Sequence, residues 1–185
     1  IEADDAIGTL ARMAAASGHK VLISTGDKDL AQLVTPEVSL INTMAKPPEL
    51  LDVQAVRAKF GVPPERIVDY LTLVGDTVDN VPGVNKCGPK TAAKWIAEYG
   101  SLDGVIENSA AIAGKVGEYL REALGHLPLS RQLVTIKTDV ALDVGVRDLV
   151  RAVDRHDPLL ALLRDHVLRG ADPGLELVGG VLGAR

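Results

Sequence analysis

Apolar residues recur in two rhythms along the first fifty positions. Ile7, Leu10, Ala11 and Ala14 share one helical face and predict an amphipathic helix over residues 3–17, ended by Gly18. Val21-Leu22-Ile23 then runs apolar without alternation, the pattern of a strand buried on both faces. A short helix-like stretch, Asp29 to Val34, separates it from a second such run, Val38 to Ile41. Helix, strand, helix, strand at these intervals predicts an α/β fold, seen here as the later part of a parallel sheet flanked by helices.

From Asp52 the pattern is helical alone. Val53 to Phe60 and Pro63 to Val74 read as helices, each opened by a start signal, Asp52 and Pro63-Pro64. Pro89 to Tyr99, closed by Gly100, and Leu102 to Ile106 follow, and Val116 to Leu127 and Leu129 to Ile136 add two more. Pro158 to Leu168 predicts a last helix, and the glycine-rich Gly170 to Arg185 is expected to fray. The resulting partition is a partial α/β core at residues 1–48, a helical subdomain at 49–140 and a partly helical C-terminal segment at 141–185. No internal repeat is visible.

Composition narrows the class. With 46% hydrophobic but only 3% aromatic residues, the core must be built from Leu, Val, Ile and Ala. A single cysteine, Cys87, excludes an internal disulfide and fits a reducing, cytoplasmic setting. No apolar run approaches the ~18 residues of a membrane helix. The chain opens at Ile1 directly in a helical motif, which reads as a piece of a longer chain. The net charge of −5 argues on its face against nucleic acid, but bound cations invert local potential, so placement matters more than count.

The acidic residues gather in three clusters: Glu2, Asp4 and Asp5; Asp27 and Asp29 in Ser24-Thr25-Gly26-Asp27-Lys28-Asp29; and Asp76 and Asp79 in Gly75-Asp76-Thr77-Val78-Asp79-Asn80. Each has a bland reading, since acids complement a helix N-terminus and aspartates form turns and caps. Together they suggest more. Ligands of parallel sheets lie outside the carboxyl ends of strands, where Asp27 and Asp29 would sit. Carboxylates meeting there would repel one another unless hard cations such as Mg²⁺ or Mn²⁺ bridged them, and the lack of accompanying His or Cys argues against zinc. Two such ions about 4 Å apart form a clamp suited to phosphodiester hydrolysis.

Between two predicted helices runs Val81-Pro82-Gly83-Val84-Asn85-Lys86-Cys87-Gly88-Pro89-Lys90-Thr91-Ala92. Gly83 and Gly88 permit close backbone approach, Pro89 suits a first helical turn, and the amides there would favour a phosphate. Lys86, Lys90 and Lys94 add positive charge without a base-reading fork, which favours sequence-independent contact with a DNA backbone. The bland alternative is an ordinary helical corner with solvated lysines.

In order, Glu2-Ala3-Asp4-Asp5, Ser24 to Asp29, Gly75-Asp76 to Asp79-Asn80 and Gly83 to Thr91 resemble the signatures of the 5′-nuclease family. The likeness is to flap endonucleases and, above all, to the 5′→3′ exonuclease domains that open bacterial DNA polymerase I. Ile41-Asn42-Thr43-Met44 and Ile136-Lys137-Thr138-Asp139 extend it over about residues 1–140. The resemblance implies a PIN-like core followed by a helix–three-turn–helix, a form of helix-hairpin-helix, that grips duplex DNA through Gly83, Lys86, Gly88, Lys90, Thr91 and Lys94. It implies a first Mg²⁺ or Mn²⁺ at Glu2 and Asp4 and a second at Asp4, Asp27, Asp29 and Asp79. Asp5 and Asp76 would act directly or through metal-bound water, and a K⁺ would sit on main-chain carbonyls within Val84 to Gly88. The implied substrates are 5′ flaps, nicks or RNA primers in replication and repair, with a polymerase in the same natural chain and nucleoid-associated work in a bacterial cytoplasm.

The departures are specific. The family places further metal-binding aspartates, and an arch that threads the 5′ end, ahead of its Glu-Ala-Asp-Asp motif, so the first metal site is expected to be incomplete here. Asn85 and Lys86 stand where many relatives have Pro and Gly. Two other classes of function compete with the nuclease: a DNA-binding fragment without catalysis, and a small-molecule phosphatase with Asp27 as nucleophile.

Overall fold

The computed structural model describes residues 2–148. Helix α1 (Ala3–Ala16) carries Asp4 and Asp5 in its first turn, and Asp5 reaches back to accept a hydrogen bond from the Glu2 N–H at 3.4 Å. Gly18, at φ +84°, turns the chain out of the helix. Strand β1 (Val21–Ser24) then pairs in parallel with β2 (Val38–Asn42), Val21 opposite Val38 and Ser24 opposite Ile41. The crossover between them contains a 3₁₀ turn at Asp29–Leu33. Val21 and Ile23 are buried while Leu22 is only half-buried, so β1 is less enclosed than its apolar run implies.

The α/β class is as expected from the sequence, but the sheet is mixed. Strand β3 (Glu49–Leu51) runs antiparallel to β2 with Leu40 opposite Leu51, giving the order β1-β2-β3. Three residues are too few to establish a two-residue rhythm, which is why the pattern of the sequence did not disclose it.

Helix α2 (Val53–Phe60) is capped by Asp52, which accepts from the Ala55 N–H at 2.8 Å, and ends at Gly61 with φ +74°. The predicted helix from Pro63 divides into a 3₁₀ turn at Pro64–Arg66 and helix α3 (Ile67–Val74). Helices α4 (Pro89–Tyr99) and α5 (Leu102–Glu107) follow closely as expected. Helix α6 (Gly114–Ala123) begins and ends earlier than predicted, and α7 (Leu127–Val134) starts with Pro128 in its first turn. Helix α3 is the hub: Ile67, Leu71 and Leu73 are at most 1% exposed, and the helix packs on α4, α7 and the Asp29–Leu33 turn. Each such side chain contributes about 2 kcal/mol of burial.

Beyond Val134 the chain leaves helical geometry, where the sequence predicted helix to Ile136, and returns to α1 as an extended strap. Its amides are taken by side chains instead of helical carbonyls: Ile136 N–H by Gln32 Oε1 (3.0 Å), Lys137 N–H by Asp5 Oδ1 (2.9 Å) and Val140 N–H by Thr9 Oγ1 (3.3 Å). Arg12 Nε donates to the Thr138 carbonyl at 2.6 Å. Gly8 makes room for this return, because a β-carbon there would lie 2.9 Å from Ile136 Cγ2. The helix predicted at Pro158 to Leu168 and the tail Gly170 to Arg185 lie outside the described residues.

Candidate metal centre

Three backbone devices bring the acidic clusters to one end of the sheet. Glu2 and Asp4 sit at the N-terminus of α1. After β1 the chain makes nested turns: the Asp27 N–H donates to Thr25 Oγ1 and the Asp29 N–H to Asp27 Oδ1, both at 2.9 Å. Asp27 is thus a turn former and a cavity residue at once. After α3 the loop from Gly75 to Gly83 is closed by paired hydrogen bonds between Asp76 and Val81, at 2.9 and 2.7 Å. Gly75 and Gly83 meet back to back there, and a β-carbon on either would collide with the other's backbone. Val84 N–H donates to the Leu73 carbonyl at 2.8 Å and seats the loop on α3.

The result is a cavity of about 330 Å³ lined by Glu2, Asp4, Asp5, Asp27, Asp29 and Asp79, with Val81 and Leu133 to Ile136 completing its wall. One carboxylate oxygen each from Asp29, Asp76 and Asp79 lie within 4.8 Å of one another. Burial, and then Asp27, push the Asp29 carboxyl up to about 6; Asp76 and Asp79 add to the shift and Lys28 opposes it. Burial also raises Asp4, with repulsion from Asp27, Glu2, Asp5 and Asp79 behind it. Asp29 Oδ1 is buried with no hydrogen-bond partner. An orphaned buried carboxylate oxygen among like charges, with only oxygen donors around it, fits a hard divalent cation.

Two of the acidic residues are already engaged. Asp76, 7% exposed, forms an ion pair with Lys28 at 2.5 Å and accepts from the amides of Val78 (2.7 Å) and Asp79 (3.4 Å). Lys28 holds its carboxyl below the usual range. Asp5 anchors the strap through the Lys137 N–H, which lowers its carboxyl first of all. Sequence reasoning gave Lys28 no role, although a cation between two aspartates was a usable signal. It also missed Gln32, which no local signal marks.

The glycine turn lies directly beyond. Ser130 Oγ donates to the Pro82 carbonyl at 2.6 Å, and His126 Nε2 lies 3.3 Å from the Gly83 carbonyl, so α7 and the residue before it clasp the turn from behind. Lys86 takes the left-handed conformation, φ +57°, with its ammonium 5.8 Å from the Tyr119 ring centroid. Gly88 precedes α4 without a side-chain cap, and Lys90 and Lys94 are exposed one helical turn apart, with Thr91 half-buried beside them.

Known proteins resemble this chain over most of its length. Residues 1–61 match the family model of the 5′-3′ exonuclease N-terminal resolvase-like domain, and residues 62–157 that of the 5′-3′ exonuclease C-terminal SAM fold. DNA polymerase I of Pseudomonas aeruginosa is 46% identical over 177 residues, covering 89% of this chain and 19% of that protein. A 5′-3′ exonuclease of Aquifex aeolicus is 43% identical over 148 residues, covering 80% of this chain and 50% of that one. The chain therefore spans about a fifth to a half of the length of these relatives. Among solved structures, a phage T5 5′-exonuclease mutant superposes with a TM-score of 0.66 at 23% identity, covering 75% of this chain and 56% of that one. A phage T5 flap endonuclease complex with DNA and metal ions gives 0.67 at 22% identity, over 75% and 51% of the two chains. At that identity these structures speak to the fold alone. The two family models together account for residues 1–157, and the chain belongs to the 5′-3′ exonuclease family.

Proposed function

We propose that this chain carries the carboxylate centre and the DNA-docking turn of a structure-specific 5′→3′ exonuclease or flap endonuclease that hydrolyses DNA phosphodiester bonds in replication and repair. The observation that carries the reading is Asp29, whose buried oxygen lacks a partner among carboxylates drawn from three distant segments. In this reading Glu2 and Asp4 hold one Mg²⁺ or Mn²⁺, and Asp4, Asp27, Asp29 and Asp79 hold the other. Bound there, the cations supply a nucleophile from water near neutral pH and offset the charge on the phosphoryl group. Asp76 keeps Asp79 in place by accepting its amide and bears on the ions through water, and Asp5 fixes the strap. Gly83, Lys86, Gly88, Lys90, Thr91 and Lys94 hold a DNA backbone, with a K⁺ on carbonyls within Val84 to Gly88. The substrate would present a 5′ flap, nick or RNA primer, and a polymerase domain would follow in the same protein, as the name of the P. aeruginosa relative suggests.

A second reading is favoured by the glycine turn, which Ser130 and His126 clasp from behind: this stretch grips DNA without cleaving it. One assay separates the two. The chain is mixed with a 5′-labelled flap duplex and Mg²⁺ or Mn²⁺, with a chelator control. The nuclease reading expects metal-dependent cuts near the junction, reduced about 100-fold or more by Asp27→Ala or Asp79→Ala with duplex affinity kept. Duplex binding without cuts supports the second reading. Under both, Lys90→Glu weakens binding by a factor that shrinks as salt rises, and salt-insensitive binding would remove the backbone contact.

A further inference from the structure

One side chain outside the lining of the carboxylate cavity joins two of the segments that form it. Gln32 lies in the 3₁₀ turn that starts at Asp29, three residues on. Its Nε2 donates to the Asp29 carbonyl and to the Val134 carbonyl, both at 2.9 Å, and its Oε1 accepts from the Ile136 N–H at 3.0 Å. Asp29 belongs to one lining segment of the cavity, and Val134 and Ile136 to another. A single amide group therefore ties the backbone of one lining segment to that of its neighbour, Gln32 lying 102 to 104 residues in sequence from its partners there.

The Asp29 carboxylate is in special need of such a tie. Its Oδ1 is buried without a hydrogen-bond partner, so the direction of the group is left to the backbone that bears it. We propose that Gln32 is a positioning residue of the metal centre, setting where the Asp29 carboxylate stands by pinning the Asp29 backbone to the Val134–Ile136 wall. The inference rests on the metal-dependent reading above. Other side chains hold the strap to α1: Asp5 through Lys137, Arg12 through Thr138 and Thr9 through Val140. Loss of the Gln32 amide thus leaves the strap docked and frees only its link to Asp29. Oriented carboxylates are what divalent affinity depends on, and loss of a supporting hydrogen bond lowers that affinity about 10- to 100-fold.

The test is a Mn²⁺ titration of the full 185-residue chain, followed by the resonance of the free ion well below the unfolding temperature. Gln32→Met keeps the length and removes the amide; it is expected to weaken Mn²⁺ binding about 10-fold or more. In flap cleavage it lowers kcat with KM for DNA unchanged. Thr9→Val frees the far end of the strap and is expected to lower the melting temperature while leaving Mn²⁺ affinity within about twofold, since Thr9 does not touch Asp29. Equal Mn²⁺ affinity in Gln32→Met and the wild type overturns the proposal. So does an equal loss in Thr9→Val, which would mean that any loosening of the strap suffices. If the wild type binds no Mn²⁺ at all, the metal-dependent reading itself fails and takes Gln32 with it, a result distinct from the other two. Should Gln32→Met not fold by circular dichroism, Gln32→Asn, one methylene short of spanning the two segments, gives the same readout.

Discussion

The carboxylate cavity and the glycine turn stand side by side and are stabilised in opposite ways. In the cavity, six acidic side chains from three separate stretches face one another, one with a buried oxygen that no donor reaches. Its geometry is imposed by backbone devices around it: an aspartate turn, a two-bond bridge and a strap. In the turn, residues adjacent in sequence are held by satisfied contacts, with Ser130 on the Pro82 carbonyl and Val84 on the Leu73 carbonyl. The cavity stores repulsion that a bound cation would relieve, and the turn stores shape. The difference implies that metal removal and mutation will be felt unequally by the two regions, and that the element they share is the most sensitive of all.

That element is the contact of Gly75 with Gly83. A β-carbon on Gly83 would press into the Gly75 amide and the Val74 carbonyl group, backbone atoms that cannot step aside. Gly83→Ala is therefore expected to cost about 3 kcal/mol or more in urea unfolding, with or without divalent cation, because it forces apart the loop bearing Asp79 and the start of the turn. Gly88 is the control. A β-carbon there meets nothing within 4 Å, so Gly88→Ala should cost less than about 1 kcal/mol, the scale of a changed N-cap. Equal unfolding midpoints for the two variants would break the claim that one contact couples the regions.

The same contrast decides what could be read from the sequence. The glycine turn was legible because its signals are local: two glycines, a proline suited to a helix start and lysines at one-turn spacing. The three acidic clusters were readable as groups but not as a meeting point, because nothing in spacing says that Asp4 and Asp79 approach across 75 residues; family resemblance supplied that ordering. Leu129, Leu133 and Ile136 keep helical spacing, yet the helix stops at Val134 because Gln32 and Asp5 capture the next amides, a tertiary interaction overriding a local preference. Lys28 was hidden for a related reason. Its partner Asp76 is 48 residues away, and only the fold places them together.

Lys28 sharpens the comparison further. It is the cation already present in the acidic neighbourhood, and its removal leaves Asp76 buried and unpaired but for two amides. With the Lys28 side chain 46% exposed and solvent screening the pair, Lys28→Met is expected to cost about 2 kcal/mol in chelator, less than breaking a fully buried pair. Millimolar Mg²⁺ should return part of that loss, because a divalent cation offsets the same charge. The glycine turn should be indifferent, so duplex affinity at fixed salt stays within about twofold. A variant as stable as the wild type in chelator would mean that the pair does not hold the two acidic loops together.

Asp29 gives the smallest and most diagnostic effect. Its carboxyl is raised to about 6 in the folded chain, against 3.8 when unperturbed. A carboxyl harder to ionise when folded binds more protons in the native state, so stability from this group is full below pH 4 and falls as pH rises towards 6. The shift corresponds to ~3 kcal/mol undiscounted, and to about 1.5 kcal/mol once screening of this partly exposed group is allowed for. In chelator, Asp29→Asn should match the wild type near pH 4 and exceed it by about that amount near pH 7, as thermal melts across the range would read. Asp4, also raised, and Asp76, lowered, are present in both proteins, so their own slopes largely cancel in the difference. With Mg²⁺ added the order should reverse at neutral pH, since the cation stabilises more strongly the chain that offers it a charged oxygen at this position. Parallel curves from pH 4 to 7 would show that the cavity tolerates its charges unaided, and the contrast with the glycine turn would lose its physical basis.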